Sequence, residues 1–313
     1  MKYSFVIPCY KTSEIIFEML EGIREQMYLM DKKDIEVILV NDATPDSGVT
    51  IQRLKKVSAT YDFVKVIDLA KNVGQHNATM AGLNYASGDV IISMDDDMQT
   101  HPSQLEKLLL ELEKGYDIVY GHYPEKKHSG FRNFGSWVNY MSVRILIGKP
   151  KELKTSSFWA IKKFVKDEAT RYQNSYTYLQ GLFLRITRNI SSVPVEHFER
   201  KIGESNYSFK KLVKLWSSII GFSIVPLRLA IYIGYLFSGI GIVGAIVILL
   251  RKLFVPEIAM GWPSLMIAIC FFSGINLLFL GLVGEYVGRM FLGINKTPQY
   301  VVRRIIQNGQ EDV

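Results

Sequence analysis

Three consecutive carboxylates, Asp95, Asp96 and Asp97, close an apolar run in GDVIISMDDDMQ, and that placement suits a hard divalent cation. Val90 to Met94 is continuous, apolar and rich in β-branched residues, the pattern of a strand buried on both faces. If the extended backbone continues past it, side-chain alternation points Asp95 and Asp97 one way and Asp96 the other. Two carboxylates on one side can grip Mg2+ or Mn2+, with phosphate oxygens completing the shell. The same residues also read as a solvated loop leading into the helix opened by His101 and Pro102, and composition alone leaves both readings open.

The elements that must position these residues alternate along the first 120 positions. YSFVIP, IEVILVN, FVKVID, DVIISM and DIVYG read as strands, and helical patterns begin near Ser13, after Pro45, at Gln75 and after Pro102. Alternation with short connections predicts an α/β domain with a mainly parallel sheet and helices on both faces. Ligands of such sheets bind at the carboxyl ends of the strands. Those ends carry Pro8 and Tyr10, Asp42, Asn72 with Gly74, and then Asp95 and Asp97, which makes a nucleotide pocket the natural reading. Asp42, in VNDATPD, can accept hydrogen bonds from a nucleobase or ribose; its other role is to cap the following helix, for which Thr44 and Asp46 are better placed. No GxGxxG follows the first strand and no GxxxxGK[ST] occurs, so neither a dinucleotide fingerprint nor a P-loop accounts for the pocket. The five histidines lack zinc-motif spacing and no GxSxG elbow is present, which argues against zinc and serine hydrolases.

After residue 120 the pattern becomes irregular. The stretch HYPEKKHSGFRNFGSWVNYMSVRILIG is basic and then amphipathic, with Trp137, Tyr140, Met141, Ile145 and Leu146 on an approximate helical stripe; it reads either as an interfacial helix or as ordinary core packing. SFKKLVKLWSSIIGFSIVPLR is a second amphipathic segment and leads into LAIYIGYLFSGIGIVGAIVILL, which carries no charge. A further uncharged stretch is centred on SLMIAICFFSGINLLFLGLVG. Each exceeds the roughly 20 apolar residues needed to cross a bilayer. Lys210, Lys211, Lys214 and Arg228 precede the first span, and Arg289, Lys296, Arg303 and Arg304 follow the second. The positive-inside rule therefore predicts both termini in the cytoplasm and a short outer loop. Small residues along both spans (Gly234, Ser238, Gly241, Ala245; Gly274, Gly281, Gly284, Gly288) permit close packing within a hairpin or between protomers, so a homo-oligomer is open.

The predicted organisation is a cytoplasmic domain over 1–207, a juxtamembrane segment over 208–228, a two-helix hairpin over 229–286 with spans at about 229–250 and about 262–284, and a cytoplasmic tail over 287–313. No cleavable signal precedes the first strand, and the two cysteines, Cys9 and Cys270, fall on different elements, which does not support a disulfide framework. The net charge of +7 is spread without an aromatic-interleaved basic stripe. A basic chain beside an anionic leaflet is the simpler account than a nucleic-acid partner.

Taken in order, VIPCY, VNDATPD, KNVGQHNATMAGL, MDDDMQ, RKIGESNYSF, FSIVPLRL and GEYVGRMFLGINKTPQYVV resemble the family-2 glycosyltransferases of the nucleotide-diphosphosugar (GT-A-like) fold. The likeness is specifically to the polyprenyl-phosphate glycosyltransferases, a group that includes dolichol-phosphate mannose synthase and the bacterial undecaprenyl-phosphate glucosyl and formamido-arabinose transferases. It covers nearly the whole chain. The resemblance implies donor-nucleotide contacts from Pro8, Tyr10 and Asp42, and a metal, Mg2+ or Mn2+, on Asp95, Asp97 and Gln99. Asp95 and Asp96 fall in the same donor-binding set, Asp96 as a supporting residue. Arg200 matches the arginine that meets the donor diphosphate, and Arg132 and Ser136 fall where the family holds the lipid phosphate. A planar guanidinium suits both tasks because it donates two hydrogen bonds to phosphate oxygens. The chain departs from the family pattern at Lys11-Thr12, Asn41, Lys71, Asn206 and in SSFWAI, changes that leave the metal and diphosphate machinery in place.

The implied reaction is inverting, metal-dependent transfer of a sugar from a nucleotide sugar, UDP-linked rather than GDP-linked, to a polyprenyl phosphate such as undecaprenyl phosphate, at a bacterial inner membrane. Metal, Asp95, Asp97 and Arg200 would neutralise charge on the leaving nucleotide. A phosphate monoester with a second pKa of about 6 is already ionised at neutral pH and needs no general base. TYLQGLF, where hydroxyl-directed relatives tend to carry an acid, has Gln180 instead. Two rival readings are a membrane-anchored enzyme acting on a polysaccharide or protein hydroxyl and an inactive scaffold for a glycan flippase or polymerase.

Overall fold

Tyr3–Cys9 (β1), Ile35–Asn41 (β2), Val64–Leu69 (β3) and Val90–Ser93 (β4) are largely apolar from end to end rather than alternating, as strands covered on both faces must be. They pair in parallel in the order β4-β1-β2-β3, with Phe5 opposite Val37 on one side and Ile92 on the other. The chain, seen in a computed structural model, is described over residues 1–123, 144, 148–198, 225–254 and 261–312.

Alternate residues of each strand feed two cores. Phe5, Ile7, Val37 and Leu39 pack with the helices Ile15–Leu29 (α1), Val49–Thr60 (α2) and Leu105–Glu113 (α4). Val6, Ile38, Val40 and Ile67 pack with Gln75–Tyr85 (α3), Lys163–Thr170 (α5) and Leu179–Ile186 (α6). The α/β sheet with helices on both faces is thus the one expected, and its parallel strands form the centre. Antiparallel pairings flank that centre. Ile118–His122 (β5), Trp159–Lys162 (β6) and Ile190–Pro194 (β7) extend one side, and Val302–Gln307 (β8) with Gln310–Asp312 (β9) close the other, in the order β7-β5-β6-β4-β1-β2-β3-β8-β9. Because β6 runs antiparallel to β4, with Trp159 opposite Ser93, the residues just before β6 lie at the carboxyl end of β4, beside the aspartates.

α3 sits close to the sheet because Gly82 has no side chain. A Cβ there would fall inside the van der Waals envelope of Val6 Cγ1 and 3.1 Å from Val40 Cγ2. Both atoms belong to stiff, fully buried side chains, so Gly82→Ala should destabilise the domain by about 1–3 kcal/mol. A lowered urea midpoint with unchanged slope is the expected result.

Two long helices, Val225–Phe254 (α7) and Trp262–Ile294 (α8), follow. Their apolar stretches Val225–Gly244 and Phe271–Ile294 are long and apolar enough to cross a membrane, and almost none of either is buried within the protein. Leu236, Val243, Leu277, Leu278 and Leu280 are all more than half exposed, far more contiguous apolar surface than a water-facing helix pair carries. Phe237 of α7 packs edge-on against Phe272 of α8, with ring centroids 5.5 Å apart. The expected segment 208–228 lies outside the described residues except for Val225–Arg228, which open α7.

Within 287–313, the stretch expected as a tail, residues 287–312 have a structural role. α8 continues to Ile294, and 302–312 return as β8 and β9 to pair antiparallel with the outer edge of β3. That edge offers unpaired backbone groups, which a returning strand satisfies. Ile306 becomes fully buried, and Arg304 Nε donates to Asp68 Oδ2 at 2.9 Å.

Candidate active site

The carboxyl ends of β1 to β4 open into a cleft of about 620 Å³, lined by Pro8, Tyr10, Asp42, Asn72, Gln75 and Asp95 to Asp97, with Cys9, Lys11 and Gly74 beside them. The predicted donor-site residues of the N-terminal half therefore converge.

Asp42 is held at one wall and is nearly fully buried. Its Oδ1 accepts the Val73 N–H at 2.7 Å, and its Oδ2 accepts the Gly74 N–H at 2.9 Å and Asn72 Nδ2 at 3.0 Å. The helix that Asp42 organises is therefore α3, across the sheet, while Asp46 caps α2 by accepting the Thr50 N–H at 2.9 Å. Behind Asp42, Asn41 Nδ2 donates to Asp68 Oδ1 at 2.7 Å, and Asn41 Oδ1 accepts from Thr44 Oγ1 at 3.1 Å. Thr44 Oγ1 in turn accepts the N–H of Lys11, a residue at φ 57°. The Arg304–Asp68 pair thus reaches, through Asn41 and Thr44, the loop that carries Tyr10.

The aspartates do not follow strand alternation. β4 ends at Ser93, and the backbone turns through Asp96 and Asp97 with Met98 at φ 57°, so all three carboxylates line the cleft. They fan toward different partners. Asp95 Oδ1 accepts from Gln75 Nε2 at 2.7 Å and its Oδ2 from Ser157 Oγ at 2.5 Å. Asp96 Oδ2 accepts from Thr12 Oγ1, and Asp97 Oδ1 accepts the Gln99 N–H at 3.0 Å. Burial pushes the Asp96 carboxyl up to about 7, with Asp95 and Asp97 adding to the rise and the Thr12 hydrogen bond opposing it.

Carboxylate oxygens gathered at one edge of the sheet are the hard donors that a divalent cation takes. Among the described residues no group of three or more His, Cys, Asp or Glu converges as a cage. The residues fit a cation that shares its shell between Asp95, Asp97 and phosphate oxygens, the mode typical of Mg2+. Gln99 stands outside the cleft lining, and its backbone C=O accepts the Phe198 N–H at 3.0 Å. Arg132, Ser136 and Arg200 lie outside the described residues.

Three supporting residues have no role in the motif reading. Thr12 is the partner of Asp96, Gln75 begins α3 and reaches Asp95, and Ser157 approaches Asp95 from the other side. Gln75 was accessible as the first residue of a helix at a strand's carboxyl edge; Ser157 lies in a stretch without periodicity. Gln180, not among the residues lining the cleft, accepts at its Oε1 from Tyr178 Oη at 2.7 Å and from Thr155 Oγ1 at 3.5 Å.

Next to Gln75, the His76 ring packs edge-on against Tyr178 with centroids 5.4 Å apart, and burial holds its pKa down at about 4. His76 therefore holds fewer protons in the folded than in the unfolded state between about pH 6.5 and about pH 4, so its own contribution to stability falls as pH drops through that window, while the raised Asp96 carboxyl contributes with the opposite sign. His76→Phe should remove that contribution, making stability rise relative to wild type as pH falls through the window, by up to about 1.4 kcal/mol per pH unit. Urea melts of both proteins at pH 7, 6 and 5 read the difference.

The family model for Glycosyl transferase family 2 matches residues 4–185. The uncharacterized glycosyltransferase YkcC of Bacillus subtilis is 33% identical over 308 residues, covering 97% of this chain and 94% of that protein. The undecaprenyl-phosphate 4-deoxy-4-formamido-L-arabinose transferase of Yersinia enterocolitica is 30% identical over 318 residues, covering 99% and 97%, and that of an Enterobacter species is 28% identical over 311 residues, covering 98% and 94%. In fold, the chain is similar to glucosyl-3-phosphoglycerate synthase from Mycobacterium tuberculosis, solved with Mn2+, UDP and phosphoglyceric acid, at a TM-score of 0.52 and 16% identity, covering 71% of this chain and 76% of that one.

Proposed function

Because the chain belongs to glycosyl transferase family 2 and is a glycosyltransferase, we propose that it moves a sugar, with inversion, from a UDP-sugar to the phosphate of undecaprenyl phosphate at the cytoplasmic face of a bacterial inner membrane. The observation that carries this reading is the extent of the likeness to the undecaprenyl-phosphate transferases. It runs through the catalytic domain, both apolar helices and the returning strands rather than stopping at residue 185.

The cleft supports it chemically. Pro8, Tyr10 and Asp42 bound the nucleotide end, and Asp95 and Asp97 stand where a donor diphosphate would enter. Mg2+ or Mn2+ held by Asp95 and Asp97 would supply Lewis-acid neutralisation of the diphosphate. Gln75 and Ser157 fix Asp95 from both sides, and the Gln99 N–H fixes Asp97, so neither carboxylate needs to reorganise as the donor binds. The bond between the anomeric carbon and the β-phosphate oxygen breaks, its electrons leave with UDP, and a lipid-phosphate oxygen forms the new bond from the opposite face. An ionised phosphate acceptor has no proton to give up. The amide of Gln180, held by Tyr178, matches that requirement.

The helices would hold this chemistry close to the lipid. α8 is 33 residues long, about 50 Å, and so outruns a hydrocarbon core of about 30 Å. Its last turns dock on the catalytic domain, where the Arg289 guanidinium sits 4.5 Å from the centroid of the Tyr176 ring and pairs with Glu285 at 2.7 Å. On this reading the catalytic domain would lie on the cytoplasmic side of the hairpin. The test is incubation of purified protein with undecaprenyl phosphate and a panel of UDP- and GDP-sugars, with and without EDTA. A sugar on an acid-labile lipid monophosphate, formed from one UDP donor and lost on chelation, is the expected product. Transfer to a polymer or protein hydroxyl instead would overturn the reading.

A further inference from the structure

In the sheet order, β4 divides the active-site edge into two halves. The nucleotide end occupies β1 to β3, and the other half is built by β6, β5 and β7. Asp95 stands on the boundary, with one oxygen on Gln75 of the nucleotide half and the other on Ser157, two residues before β6. An acceptor that attacks opposite the leaving nucleotide must come from the second half, past Ser157.

That half carries a cation without a carboxylate. Lys149 is partly buried, and its Nζ donates to Thr155 Oγ1 at 3.0 Å, its one polar contact among the described residues. No ion pair offsets its charge among those residues, and burial lowers its pKa, the response of an ammonium that has lost water without gaining an anion. Thr155 also reaches Gln180, which Tyr178 holds, and Ser157 follows Thr155 by two residues on the way to Asp95. Lys149 and Asp95 are thus each hydrogen-bonded to the same short segment before β6, Lys149 to Thr155 and Asp95 to Ser157. Ionised phosphate is the chemistry that satisfies a half-desolvated ammonium at this place: it restores the lost solvation and supplies the nucleophile.

We infer that Lys149 binds the phosphate of the lipid acceptor, holding it on the β6 side of Asp95 in line for attack. This inference rests on the phosphate-acceptor reading above. Neutralising one of the acceptor's charges also reduces its repulsion from Asp95 and from the donor diphosphate, so Lys149 favours the encounter of two anions.

The test uses the full chain in detergent micelles and needs no knowledge of the sugar: undecaprenyl phosphate, undecaprenol and UDP are titrated separately into wild type and variants. Lys149→Gln should weaken undecaprenyl phosphate binding about 10-fold or more, leaving undecaprenol and UDP unchanged, because one charge-assisted contact is lost. Lys149→Arg should stay within about threefold of wild type. So should Thr155→Val, which removes the hydroxyl prop and keeps the charge. Unchanged phosphate binding by Lys149→Gln overturns the assignment, as does an equal loss in Thr155→Val, which would make Lys149 a structural prop. Wild type that binds undecaprenol as tightly as undecaprenyl phosphate would bring down the acceptor reading itself, and this inference with it.

Discussion

Asp97→Ala is expected to lose at least about 10³-fold in sugar transfer, about 4 kcal/mol in barrier, while the purified protein keeps its melting temperature within a few degrees. The size follows from the proposed function. On that reading two anions would meet in the cleft, and the leaving nucleotide would gain negative charge as the glycosidic bond breaks. Removing one of the two proposed hard ligands would then remove both the cation's position and the neutralisation it would supply. The fold should tolerate the change, because Asp97 stands on a turn that lines the cleft and is not among the buried core residues.

Asp97→Asn separates the electrostatic role from the structural one. Its side-chain oxygen can still accept from the Gln99 N–H, yet the carboxylate charge is gone, so a loss close to that of alanine is expected. EDTA should bring wild type down to the level of the variants and add little to their loss, since effects on one shared unit do not add. Transfer at wild-type rate by Asp97→Ala with excess Mg2+ and Mn2+ present would remove the metal from the account of this cleft.

The Asp95–Asp97 run was legible because its chemistry is local: a β-branched run ends, and carboxylates stand at the sheet edge where ligands bind. β1 to β4 were legible for the same reason, as buried parallel strands are written as continuous apolar runs. What the sequence could not convey are the pairings that complete the site. Thr12 meets Asp96 from 84 residues away, Ser157 meets Asp95 from 62, and Arg304 meets Asp68 from 236. None of these pairs has a periodic signature, because each is fixed by which strands become neighbours. VRRIIQ pairs with β3 although it reads as a basic tail, since its burial comes from one edge and from Ile306 rather than from a two-sided apolar pattern. α8 runs to Ile294, past the end expected near 284, because the backbone hydrogen bonds of a helix continue through charged positions until it docks, here through Arg289 and Tyr176. The turn after Ser93 defeated the alternation argument for Asp96 in a comparable way. Strand periodicity holds only while the backbone stays extended.

Asp42→Asn is the second change with a large expected effect, and it tests whether the nucleotide wall is built or merely lined by this residue. The carboxylate accepts from Val73, Gly74 and Asn72 while almost fully buried. An amide in its place must turn an N–H toward at least one of these donors, leaving a buried donor unsatisfied at about 1–3 kcal/mol. The segment Asn72–Gly74 both begins α3 and lines the cleft, so its displacement reaches Gln75 and, through it, Asp95. We expect a loss of about 2–4 kcal/mol in stability together with at least about 100-fold weaker UDP binding. Asp46→Ala is the control. It removes the α2 cap at the cost of about 1 kcal/mol and should leave UDP binding within about twofold, because Asp46 is not among the residues lining the cleft. Equal loss of stability in Asp42→Asn with unaltered UDP affinity would confine Asp42 to folding, and the nucleotide would then have to be recognised by Pro8, Tyr10 and the backbone alone. The two readouts separate because donor binding, on the proposed reading, would require Asp42 to hold a loop in place, whereas global unfolding registers any buried group left unpaired.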